Sequence, residues 1–118
     1  MKPKVYIETT VFSYIAAHTS TDSLTAERQA VTRLWWRTER RRYELCTSDI
    51  VAAECQRGDP TQAAERLELM RETSLLPENE RILELTKKLL APSGMPVSAV
   101  ADAAHVATVL QFTNVTTF

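Results

Sequence analysis

Three features of the sequence predict an α/β fold with a parallel sheet wrapped by helices on both faces. Short apolar runs with a β-branched and aromatic bias read as buried strands. Each is followed by a stretch of helical periodicity, and strands that alternate with helices favour a parallel sheet. The last long segment, SAVADAAHVATVLQF over 98–112, is apolar nearly all round, so it needs cover on more than one side.

Taken in order, KVYIE (4–8) is the first strand, and TVFSYIAA (10–17) is a helix that Thr9 or Thr10 is placed to cap. HTSTDS (18–23) is a polar turn from which Asp22 or Ser23 starts a longer helix. That helix carries Leu24, Val31, Leu34 and Trp35 at helical spacing and ends in RTERRR (37–42). YELCTS (43–48) is a second strand, and DIVAAECQR (49–57) a short helix capped by Ser48 and stopped by Gly58. Asp59 and Pro60 suit the cap and first turn of a helix over TQAAERLELMRE (61–72). A third strand is faint, within SLLPE (74–78). NERILELTKKLLA (79–91) is amphipathic, PSGMP (92–96) is a loop, and NVTTF (114–118) is a strand by composition.

At 118 residues the chain has room for one core, so 1–118 reads as a single domain. A composition 44% hydrophobic and 25% charged is that of a soluble protein. No stretch has the length of a membrane span, and Met1-Lys2-Pro3-Lys4 runs straight into a strand without a secretion signal, which points to a cytoplasmic location. Cys46 and Cys55 lack metal-type spacing and read as reduced thiols. A net charge of -1 gives no general affinity for polyanions, so nucleic-acid contact requires a local basic patch.

Three acids interrupt apolar surfaces. Glu8 falls at the carboxyl end of the first strand, where ligands sit in open parallel sheets. Glu54 follows Ile50 by four and Val51 by three, continuing the buried stripe of its helix. Asp102 lies in an Ala/Val helix, four after Ser98 and three before His105. Each has a plain alternative: Glu8 paired with a lysine at a surface strand end, Glu54 bridged to Arg57, Asp102 complementing a helix N-terminus after Ser98. Burying any of them alone is costly, whereas three carboxylates around a divalent cation offset one another. Their coincidence at one sheet edge points to a metal site. His105 shares a helical side with Asp102 and is within reach of substrate or metal, but a buried histidine satisfied by a backbone carbonyl is the preferred reading.

The succession of IETT, SDIVAAE after a second strand, and ADAAHVA in a late helix before a final strand resembles the PIN-domain family, including the toxin ribonucleases of VapBC toxin-antitoxin modules. The resemblance spans essentially the whole chain. It implies a three-layer α/β/α fold and a Mg²⁺- or Mn²⁺-dependent endoribonuclease, with Glu8, Glu54 and Asp102 as catalytic and metal-binding residues. It also implies a cognate antitoxin partner and a homodimer. Glu8 stands where the family usually has Asp, and Thr9 and Thr10 match its small hydroxyl residues. The chain reaches Phe118 before the family's fourth polar or acidic position, so the resemblance implies a domain short of its last segment.

The chemistry of such a site is hydrolysis of a phosphodiester by an activated water, with Glu8 and Asp102 as direct ligands and Glu54 as ligand or water-orienting base. Arg37, Arg40, Arg41 and Arg42 form either a solvated helix end or a contact for RNA phosphates. Trp35 and Trp36 are placed one inward and one partly outward. A binding module that keeps the fold without turnover is the competing reading. A phosphatase with a nucleophilic Asp is disfavoured, because ETT lacks the Asp-x-Asp that chemistry uses.

Overall fold

The computed structural model describes residues 2–77, 80–90, 100–111 and 115–117. The elements run β1 (Lys4–Tyr6), α1 (Thr9–Ala16), α2 (Ser23–Thr38), a 3-10 turn (Arg40–Arg42), β2 (Glu44–Thr47), α3 (Asp49–Cys55), α4 (Pro60–Met70), β3 (Ser74–Leu75), α5 (Glu80–Leu89), α6 (Val100–Gln111) and β4 (Val115–Thr117). The four strands form one sheet in the order β3-β2-β1-β4, and every pair is parallel. In register, Tyr6 lies between Cys46 of β2 and Thr117 of β4. The chain steps outward from β1 to β2 to β3, then returns to β4 on the far side of β1. The order therefore reverses at β1, the place where open α/β sheets form their ligand crevice. No helix among the described residues is long and apolar enough to cross a membrane.

Local chemistry sets three of the helix starts. The Asp22 carboxylate accepts from the Thr25 amide (2.9 Å) and hydroxyl (2.7 Å), which hold its pKa below the ordinary value, and α2 begins at the next residue. Ser48 Oγ accepts from the Val51 amide at 3.4 Å to open α3. Asp59 accepts from the Gln62 amide at 3.0 Å, with Pro60 at the first helical position of α4. Helix α1 departs from the expected cap. Its N-cap is Glu8, with extended backbone and no capping side chain, and Thr9 and Thr10 lie inside the first turn. The Thr9 hydroxyl is engaged across the fold instead, as described below.

Helix α2 also turns a different face inward from the one its apolar spacing marks. Leu24, Val31 and Leu34 are exposed, while Gln29 and Trp36 are buried. Gln29 can be buried because its amide is satisfied: Oε1 accepts from the Ser20 amide (2.8 Å) and Nε2 donates to the His18 carbonyl (3.1 Å), fixing the 18–23 turn. Trp36 packs edge-on against Phe12, and Trp35 stacks on Tyr43 while staying half-exposed.

The core gathers Val5, Tyr6, Ile7, Phe12, Trp36, Leu45, Val51 and Cys55 around β1 and β2. Helix α1 packs on α2, α3 and α4, whereas α5 pairs with α6 and α6 also meets α3 and β4. The PSGMP loop, Ser98, Asn114 and Phe118 lie outside the described residues.

Candidate active site

Glu8 leaves β1 two residues after its last paired residue. Ile7 is still held, its amide donating to the Cys46 carbonyl (2.8 Å) and its carbonyl accepting from Thr47 Oγ1 (2.9 Å). The strand thus stays anchored up to the residue before Glu8, whose side chain is half-buried at the strand end. Among the described residues its carboxylate has no hydrogen bond or ion pair, so the lysine pairing considered from sequence is not made.

Glu54 sits on the last turn of α3 with its side chain 26% exposed. Its partner is not Arg57. Oε1 accepts from Thr9 Oγ1 at 2.8 Å, and His105 Nε2 lies 2.8 Å from the same oxygen. The His105 ring is buried, and its Nδ1 is 2.7 Å from the Tyr6 hydroxyl, which is also 2.7 Å from Ser48 Oγ. This corrects the expectation for His105: its partners are a carboxylate and a phenol, not a backbone carbonyl. With both ring nitrogens engaged, neither is open to a cation.

Five side chains from four parts of the chain are thereby joined in one polar line, Ser48, Tyr6, His105, Glu54 and Thr9. Each is set by its element. Tyr6 alternates with Val5 and Ile7 along the strand, so its ring enters the sheet face opposite theirs. Ser48 opens α3 beside it, and Glu54 returns at the other end of the same helix. Burial pushes the Tyr6 phenol up to about 12; the Ser48 hydrogen bond opposes this, while the charges of Glu8 and Glu54 add to it. Both carboxylates are thus felt at one hydroxyl, at the carboxyl ends of β1 and β2.

Asp102 lies on the first turn of α6, three residues before His105, about 4.5 Å earlier along the helix axis. Its side chain lies outside the described residues. Among the described residues no three of His, Cys, Asp and Glu form a group able to hold a metal ion. The described part of the expected ligand set is Glu8 and Glu54, oxygen donors of the kind that hard divalent cations take.

Sequence reasoning missed Tyr6, which reads as one more apolar residue of a buried strand. The available signal was its hydroxyl, because a buried phenol needs a partner. The arginine cluster is divided. Arg40 turns inward, with Nε 2.7 Å from Glu72, Nη1 donating to the Trp36 carbonyl and its guanidinium over the Trp36 ring. Arg42 pairs with Glu39, and Arg37 and Arg41 are exposed. A concavity of about 540 Å³, lined by Lys2, Arg40, Arg41, Tyr43 and Glu72 among others, opens at the amino ends of the strands. It shares no residue with the acidic site. Neither the protein-family models, nor the curated proteins, nor the solved structures contain a match to this chain.

Proposed function

We propose that the chain is a metal-dependent ribonuclease of the PIN type, hydrolysing RNA phosphodiester bonds with Glu8, Glu54 and Asp102. The observation that carries this reading is the arrangement of Glu54. A half-exposed carboxylate is held by Thr9 and the buried His105 at the switch point of a parallel sheet, with Glu8 unengaged on the neighbouring strand end. A surface glutamate with no task has no need of three buried residues behind it. The three-layer arrangement of a PIN fold is supported by the right-handed rule for parallel crossovers. By that rule the helices after β1 and β2 cover one face, and those between β3 and β4, which cross back, cover the other.

In this reading Glu8, Glu54 and Asp102 would hold a Mg²⁺ or Mn²⁺ ion, whose chemistry would be to relieve charge on the non-bridging phosphate oxygens and to lower the pKa of water. Glu54 would serve either as a ligand or as the base that orients an attacking water, and both roles require its carboxylate to stand fixed. Thr9 and His105 hold one of its oxygens and leave Oε2 for this work. Tyr6, neutral as a phenol, lines the floor without adding a further negative charge to those of the three carboxylates. A toxin-antitoxin setting, with an antitoxin partner and a homodimer, is proposed from the resemblance alone.

The test is cleavage of RNA in Mn²⁺ by wild type and by Glu8→Gln, Glu54→Gln and Asp102→Asn. Loss of at least about a hundredfold in each variant is expected. Cleavage that survives all three substitutions rejects the assignment. A wild type that binds RNA without cutting it makes the chain a binding module.

A further inference from the structure

Resting on that reading, we infer that His105 is the positioning residue for Glu54, an Nε2–H donor oriented by Tyr6 and Ser48 that leaves Oε2 as the working oxygen. For a neutral imidazole, the direction of every hydrogen bond in the line follows from the inventory of donors. A carboxylate only accepts, so the Thr9 hydroxyl and His105 Nε2 must both donate to Glu54 Oε1. With its proton on Nε2, the neutral imidazole has only a lone pair at Nδ1, and the Tyr6 O–H must donate to it. The Tyr6 oxygen then accepts from Ser48, whose Oγ accepts in turn from the Val51 amide.

The chain of donors therefore runs one way, from the first turn of α3 through β1 and α6 back to the last turn of α3. Both ends of one helix are tied through two other elements. Rotation of Glu54 away from this position strands the His105 and Thr9 donors, and reversal of the His105 tautomer sets two donors or two acceptors face to face. Outer partners that fix the orientation of a ligating group change its metal affinity by about 10- to 100-fold when removed.

Two measurements test this. In metal-free protein at alkaline pH, ¹⁵N spectra of histidine-labelled chain are expected to show His105 with its proton on Nε2 and an unprotonated, hydrogen-bonded Nδ1. Tyr6→Phe should shift the Nδ1 resonance. In Mn²⁺ titrations, His105→Leu is expected to weaken binding by about tenfold. His105→Gln, whose amide nitrogen can stand where Nε2 stands, is expected to bind as wild type does, while a purely structural role for the ring would make both variants equally weak.

An Nδ1-protonated ring overturns the inference and leaves the nuclease reading standing, as does a folded Leu variant that binds Mn²⁺ like wild type or a Gln variant as weak as the Leu one. A wild type that binds no Mn²⁺ overturns the nuclease reading and the positioning role with it.

Discussion

Tyr6 shows what a single residue does in this fold. It is fully buried on the central strand and its hydroxyl serves two neighbours, Ser48 and His105. Its phenol is raised from 10.0 to about 12, chiefly by burial, so the folded state keeps the proton longer than the unfolded chain. The stability this contributes is complete below the unfolded value of 10.0 and is lost as pH rises from there through about 12. An ultraviolet titration should accordingly show a late tyrosinate step that Tyr6→Phe removes. Glu8 and Glu54 stood out as candidates because a charge inside an apolar run contrasts with its neighbours. The partner of His105 was not legible, because Tyr6 lies 99 residues away and no local pattern encodes that meeting.

Among elements, helix starts were the most readable feature, since a cap is a local bond between residues about three apart. Asp22, Ser48 and Asp59 each accept from the amide three residues on. The inward face of α2 was less readable. Counting apolar side chains favours Leu24, Val31 and Leu34, yet a glutamine can be buried when its amide oxygen and nitrogen each find a partner. Gly58, expected to stop α3, lies past the cap Gln56 in the turn leading to α4, at a φ of +85°. A Cβ placed there meets nothing within 4 Å, so only backbone strain opposes a substitution. Gly58→Ala should destabilise the protein by about 1–2 kcal/mol in urea unfolding, with Gly58→Asn milder.

At the scale of the whole molecule, the succession of strands and helices was readable and produced the parallel sheet, including its brief third strand at Ser74–Leu75. The core then governs chemistry that sequence reading addressed only through spacing. Cys46 and Cys55 are buried under the sheet and helices, and burial pushes the Cys46 thiol up to about 11 and the Cys55 thiol upward as well. Since the thiolate is the reactive form, neither should react with an aqueous disulfide reagent in the native protein at neutral pH, and both should react in denaturant.

The parallel register carries one further consequence, for biosynthesis. Strand β1 leaves the ribosome before β4, yet pairs on one side with residues 115–117, and the clasp on Glu54 waits for residue 105. A nascent chain stalled midway holds Glu8 and Glu54 without the ring that steadies them. Any chemistry that needs a fixed Glu54 is withheld from the emerging polypeptide until residue 105 has been made and folded into place.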